Sequence, residues 1–141
     1  MKVKEAMILL VEDNRDDVFF FRRAMSKAQL AFPVQVVEDG QEAIDYLSGI
    51  GRFRDRFRYP MPTVVLLDLK LPYVSGFEVL TWIREQPALA ALSVVILTSS
   101  PEQRDRDKAN QLGATGYLVK PPTEGMLRQL LGPTVPEQTC P

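Results

Sequence analysis

The residues in this sequence able to do chemistry are carboxylates, one threonine and one lysine, and they stand at regular places. Glu12 and Asp13 follow the apolar run 7–11 (MILLV), Asp68 follows 64–67 (VVLL), Thr98 follows 94–97 (VVIL), and Lys120 follows 116–119 (GYLV). Each polar group thus ends an apolar stretch of strand length, and parallel strands would bring them all to one edge of a sheet. Three carboxylates that close would raise one another's pKa unless a cation compensated them, and hard oxygen ligands that retain several waters suit Mg²⁺. A carboxylate beside Mg²⁺ and an ammonium can accept a phosphoryl group, because that transfer asks mainly for in-line placement and neutralisation of the equatorial oxygens. The chain contains no histidine, which removes imidazole acid/base catalysis, imidazole metal ligands and phosphohistidine from its own repertoire.

The elements that must position these groups alternate between two periods. The runs 7–11, 34–37, 64–67, 94–97 and 116–119 are short and rich in Val, Ile and Leu, as strands buried on both faces are. Between them, apolar residues recur at helical spacing. Val18, Phe21, Ala24, Met25 and Ala28 do so over 15–28, behind Asn14 as N-cap with Asp16 and Asp17 in the first turn. Ala43, Ile44 and Leu47 do so over 41–47, and a third helix spans 77–85 until Pro87 interrupts it. Ser100-Pro101-Glu102-Gln103 reads as a helix start with Ser100 as N-cap, ended by Gly113, and Thr123 caps a last helix to about Leu131. Five strand–helix units in alternation predict an α/β fold: a flavodoxin-like (βα)5, doubly wound parallel five-stranded sheet in three α/β/α layers. In such a sheet the site lies at the carboxyl ends of the strands, where the strand order reverses.

The 141 residues suit a single domain over 1–141, with a core of about 6–131 and a loose tail at 132–141. A net charge of −1 gives no general reason to bind nucleic acid or an acidic membrane surface. No run approaches the roughly 20 apolar residues of a membrane span. The lone Cys140 cannot form an internal disulfide, so a cytoplasmic location is expected.

The ordered set VEDN, LLDLKLP with a following Gly76, LTSS and LVKPP resembles receiver domains of two-component response regulators over nearly the whole chain. The resemblance implies that Asp68 is the phosphoacceptor, that Glu12 and Asp13 are the acidic pair around Mg²⁺, and that the backbone carbonyl of Lys70 is a further ligand. It makes Thr98 the switch hydroxyl, Tyr117 the switch aromatic and Lys120 the phosphate-contacting lysine, with Lys120-Pro121 a cis peptide as is common in the family. A sensor histidine kinase is the implied donor, and a homodimer through the helix 4/strand 5/helix 5 face a possible output. The lengthened connection 48–62 is similar to that of single-domain regulators serving bacterial phytochrome-type histidine kinases. Two positions depart from the common pattern: Glu12 stands where Asp is commoner, and Lys70 is an unusual neighbour for the acceptor.

Taken singly, each of these residues has a plainer reading. Glu12-Asp13 alone would be a solvated acid pair, Thr98 the end of a strand, Lys120 a surface lysine and Tyr117 a half-buried strand aromatic; only the set reverses those odds. Phe19-Phe20-Phe21 is too wide for one helix face, Trp82 belongs to the core or its margin, and the Arg/aromatic stretch 51–59 reads as a solvated or protein-contact loop rather than a nucleic-acid surface. An aspartyl phosphohydrolase would carry a second aspartate where Lys70 stands. A flavodoxin-type carrier would have a phosphate loop after strand one, where Glu12-Asp13 would repel the ligand. A scaffold that never accepts phosphate remains a third class.

Overall fold

A computed structural model describes residues 7–131 of the chain. Five strands, β1 (Ile8–Val11), β2 (Val34–Val37), β3 (Val64–Leu67), β4 (Ser93–Thr98) and β5 (Gly116–Val119), alternate with helices α1 (Arg15–Lys27), α2 (Gly40–Ser48), α3 (Gly76–Glu85), α4 (Gln103–Gln111) and α5 (Glu124–Leu131). All pairings are parallel, in the order β2-β1-β3-β4-β5. The expected doubly wound fold is present, and the order reverses between β1 and β3, each of which ends in an acidic residue of the predicted site.

The strand sequences explain the layering. Every residue of β1 and β3 is buried, since each strand lies between two others and has helices on both faces, whereas edge strand β5 is only half-buried throughout. Alternate residues serve opposite cores. Leu9, Val11, Val65, Leu67 and Ile96 pack toward α2 and α3, and Ile8, Leu10, Leu66, Val95 and Leu97 pack toward Phe21 and Met25 of α1 and Leu127 and Leu131 of α5. This is the two-sided burial that continuous apolar runs imply. Of the three consecutive phenylalanines only Phe21 is buried; Phe19 and Phe20 are half exposed, as one helix face cannot hold all three. Trp82 is at the margin of the core.

Helix ends agree with the sequence reading except at two places. Asn14 caps α1, its Oδ1 accepting from the Asp17 amide at 3.0 Å, and the Thr123 hydroxyl accepts from the Met126 amide at 3.1 Å at the start of α5. The α4 start is a correction. Ser100 is not its N-cap: Glu102 holds that position with extended backbone, and the helix begins at Gln103. The Ser100 hydroxyl is used otherwise, accepting from the Glu102 amide and donating to Asp105 Oδ2 at 2.6 Å. Helix α3 starts one residue earlier than expected because Ser75 and Glu78 form a capping box that the sequence reading missed. Gly113, with φ of +97°, lies just beyond α4 and accommodates the Arg84 side chain where a Cβ would come within 3.1 Å of it.

The connection 48–62 is more structured than a solvated loop. Phe53 is buried against Tyr46 and Tyr59 with ring centroids 5.0 and 5.2 Å apart, and Tyr46 donates its hydroxyl to the Pro60 carbonyl at 2.8 Å. Arg56 donates to the carbonyls of Tyr59 and Leu47. The aromatics the sequence placed between arginines are its small core, and only Phe57 is fully exposed. Among the described residues no helix is long and apolar enough to cross a membrane. The expected tail 132–141, with Cys140, lies outside the described residues.

Candidate functional site

The site forms at the carboxyl edge because β1, β3 and β5 all end there in parallel. Asp68 follows β3 directly and is buried at 7% exposure. Its loop is held against α3 by Gly76: a Cβ at that position would lie 2.2 Å from the Asp68 carbonyl oxygen, so only glycine lets the helix start this close to Asp68. Glu12, at the end of β1, is 2% exposed, and Asp13 beside it is exposed. Ligand atoms from Glu12, Asp13 and Asp68 lie within 4.8 Å of one another.

Lys120 reaches this cluster from the end of β5. Its ammonium lies 2.5 Å from Glu12 Oε1, 2.8 Å from Asp17 Oδ2 and 3.0 Å from Asp68 Oδ2. The other oxygen of Asp68 accepts from the Lys70 amide at 3.3 Å, and the other oxygen of Glu12 from the Asn14 amide at 3.2 Å. The Lys120-Pro121 peptide is cis, and the Lys120 amide donates to the Thr98 carbonyl at 2.8 Å, tying the ends of β4 and β5 together.

The charges in the cluster are unbalanced. Burial pushes the Glu12 carboxyl up to about 7; the hydrogen bond from Lys120 opposes this, while the nearby Asp68 charge adds to it. The sequence argument traced such a rise to repulsion among carboxylates, but removal from water is the larger cause. For Lys120 burial acts in the opposite direction and would lower its pKa. The carboxylates of Asp17, Glu12 and Asp68 outweigh that and hold it above the ordinary lysine value. One ammonium against four carboxylates leaves the pocket short of positive charge, and converging hard oxygen donors are what a divalent cation of the Mg²⁺ type binds. The three residues fit that ion.

Thr98 is fully buried at the end of β4, its hydroxyl accepting from the Ser100 amide at 3.4 Å. Tyr117 is half-buried on β5 and turned toward α4: its hydroxyl donates to the Ser100 carbonyl at 2.8 Å, and the Arg106 guanidinium covers its ring at 4.7 Å. Burial raises the Tyr117 pKa above the ordinary phenol value. Lys70 is exposed at the rim. The structure therefore gathers Glu12, Asp13, Asp68 and Lys120 into one cluster and ties Thr98 to it through the backbone, with Tyr117 engaged one step away. Sequence reasoning missed Asp17, which it treated only as a first-turn acid of α1. The available signal was its position one helical turn beyond the acidic pair, which points it back over the same edge.

The fold and this site define a class. Residues 8–132 match the model of the response regulator receiver domain, and the chain belongs to that family. It is 37% identical over 115 residues to the probable methanogenesis regulatory protein FilR2 of Methanothrix harundinacea, covering 82% of this chain and 72% of that one. The bacteriophytochrome response regulator RtBRR is 42% identical, with a TM-score of 0.79 over 89% of this chain and 75% of its own. Response regulator Rcp1 of Synechocystis sp. is 32% identical over 81% of this chain and 76% of its own. Its Mn²⁺-bound structure superposes with a TM-score of 0.80 over 96% of this chain and 99% of that one, at 30% identity.

Proposed function

We propose that Asp68 accepts a phosphoryl group from a sensor histidine kinase and that the phosphorylated domain exchanges protein partners. The observation that carries this reading is the buried Asp68 carboxylate, one oxygen 3.0 Å from the Lys120 ammonium and the other facing the Lys70 amide, beside Glu12 and Asp13. An Asp68 carboxylate oxygen attacks phosphorus in line; an O–P bond forms as the donor's P–N bond breaks, and the departing imidazole takes a proton. Lys120 and the Lys70 amide stabilise the charge on the transferred group. Glu12, Asp13, Asp68 and the Lys70 carbonyl would hold Mg²⁺, which when bound neutralises the phosphoryl oxygens. Water attack on phosphoaspartate later resets the site, the only turnover we assign to the domain.

The switch runs through Thr98 and Tyr117. The Thr98 hydroxyl turns to the new phosphoryl oxygens, and Tyr117 leaves the Ser100 carbonyl for the space vacated. Phosphorylation shifts this equilibrium only as far as its differential stabilisation of the second state allows. The face it remodels, α4, β5 and α5, carries charges of both signs at Arg104, Asp105, Arg106, Asp107 and Lys108 beside a half-buried edge strand, which suits a self-complementary homodimer. Likeness to RtBRR supports a phytochrome-type kinase as donor, acting on a single cytoplasmic receiver domain spanning 1–141.

Intact mass after incubation with Mg²⁺ and acetyl phosphate tests the reading. We expect one phosphate-sized gain in the wild type and none in Asp68→Asn. A folded wild type that binds Mg²⁺ and gains nothing, from acetyl phosphate or from a kinase, overturns it.

A further inference from the structure

The Lys120 ammonium donates to Asp17 and Asp68 and is also ion-paired with Glu12, so three carboxylates already surround its three N–H groups. A phosphoryl group on Asp68 brings new acceptor oxygens to an ammonium that three carboxylates already engage, so an existing contact gives way to it. The three acceptors are not equally easy to free. Glu12 is buried and its second oxygen is held by the Asn14 amide; Asp68 loses its carboxylate charge on phosphorylation and its share of Lys120 passes to the phosphoryl group, whose several oxygens still ask for a further donor. Asp17 has a side chain 34% exposed, so water can replace the ammonium at little cost.

We propose that Asp17 is a positioning residue that competes with the phosphoryl group for Lys120, and that phosphorylation breaks its bond to Lys120. This rests on the phosphoacceptor reading and deepens it. In the unphosphorylated protein the bond pins the first turn of α1 to the end of β5 across 103 residues of sequence. Asp17 and Lys120 also line a groove of about 240 Å³ with Phe20, Pro121 and Pro122, so releasing the bond alters the groove wall and reports the state of Asp68 to that face. The cost of the competition is a weaker hold on any phosphoryl-like group. Asp17 withholds a donor and adds one negative charge to a site that must accept an anion.

The test uses beryllofluoride, a phosphoryl mimic, at saturating Mg²⁺, with affinity read by ¹⁹F NMR. Asp17→Asn keeps the side-chain shape and removes the charge; we expect it to bind about tenfold tighter, the scale of one charge-assisted hydrogen bond in a partly exposed setting. Asp17→Glu restores the carboxylate and should return toward wild-type affinity. Asp16→Asn removes a charge from the same helical turn at an exposed position, and should change little. Equal or weaker binding by Asp17→Asn overturns the proposal, as does an equal gain in Asp16→Asn, which would reduce the effect to net charge. A second readout needs no phosphoryl group: the Lys120 ammonium signal in ¹H–¹⁵N spectra, assigned by its absence in Lys120→Met, should be protected in the wild type and lost to exchange in Asp17→Asn. A protected signal in a wild type that takes up neither phosphate nor mimic would sink the phosphoacceptor reading and the competition with it, yet leave the bond in place. Uptake by the wild type with no change in Asp17→Asn sinks the competition alone.

Discussion

The two edges of the sheet use their cations in opposite ways. At the amino edge, Arg84 donates from Nε to the Gly113 carbonyl at 2.9 Å and from its terminal nitrogens to the Leu92 carbonyl at 2.9 Å, the Ala90 carbonyl at 3.3 Å and Thr115 Oγ1 at 3.4 Å. Arg56 does the same for the carbonyls of Leu47 and Tyr59. These guanidinium groups meet neutral acceptors in loops and, for Leu47, in the last turn of α2. At the carboxyl edge Lys120 meets only carboxylates, too many for one charge to neutralise. The amino-edge bonds are local and neutral; the carboxyl edge is short of positive charge, and under the proposed function a bound cation or phosphoryl group redistributes its bonds. One edge ties the fold together, and the other is the one the proposed function would make respond.

Removing the cation from each edge should separate these roles. Lys120→Met should cut the rate of phosphoryl uptake from acetyl phosphate by about 10²-fold or more, the scale of losing one positioned donor to a developing anion. The same variant should gain more thermal stability from added Mg²⁺ than the wild type does, because its carboxylates have lost their other cation. Arg84→Ala should cost about 1–2 kcal/mol in urea melts, since the half-buried Leu92 carbonyl and the more exposed carbonyls of Gly113 and Ala90 lose a charged donor at once. Its uptake rate per folded molecule should match the wild type. A slow Arg84→Ala, or a Lys120→Met indifferent to Mg²⁺, would break the division.

Much of this contrast was legible in the sequence, and the missing part has a physical reason. Continuous apolar runs ending in single polar residues marked the strands and their functional edge, because a two-face-buried strand leaves only its end for chemistry. Glu12, Asp13, Asp68 and Lys120 were found that way, and they do converge. The amino-edge clamps were invisible: Arg84 and Arg56 bond backbone carbonyls, which every residue has, so no residue type signals the partner. Ser100 was misplaced for a related reason. A hydroxyl before Pro-Glu-Gln satisfies the cap pattern, but the extended backbone at Glu102 delays the helix, and Ser100 joins Asp105 instead. The connection 48–62 was read as solvated because charge and aromaticity alternate in it; spacing alone did not reveal that Phe53 and Tyr59 close on Tyr46.

The unbalanced charge also gives the two edges different responses to pH. Folded Glu12 ionises near 7, against about 4.3 in an unfolded chain. Between those values the folded state holds a proton that the unfolded state has released. Stability of the metal-free protein from this group is therefore present below about pH 4.3 and lost as pH rises through 7, by at most about 4 kcal/mol. The raised pKa of Lys120 acts only in the alkaline range, so it adds no slope between pH 5 and 8. Urea melts at pH 5.5 and 8 in chelator should show the loss, Glu12→Gln should remove it, and Mg²⁺ should stabilise the wild type more at pH 8 than at 5.5. A flat profile in the wild type would mean that Glu12 is ionised throughout and that the carboxyl edge is better balanced than its geometry indicates.

The smallest effect concerns the backbone of the loop that follows Asp68. Tyr73, in the loop between β3 and α3, has φ of +68° and is 90% exposed, so a bulky side chain sits in a left-handed conformation with no burial to offset it. Gln29, at φ of +60°, also takes this conformation, but there it closes α1, with the Gln29 amide donating to Ser26 and the Leu30 amide to Met25. Asparagine tolerates the left-handed region and does not loosen the unfolded chain as glycine would. Tyr73→Asn should therefore stabilise the protein by about 0.5–1 kcal/mol, while Gln29→Asn should gain less because its helix-closing bonds already compensate. If Tyr73→Asn gains stability and leaves acetyl phosphate uptake unchanged while slowing transfer from a kinase, the strain belongs to an exposed contact for the donor. If it gains nothing, the carboxyl edge differs from the amino edge in charge alone.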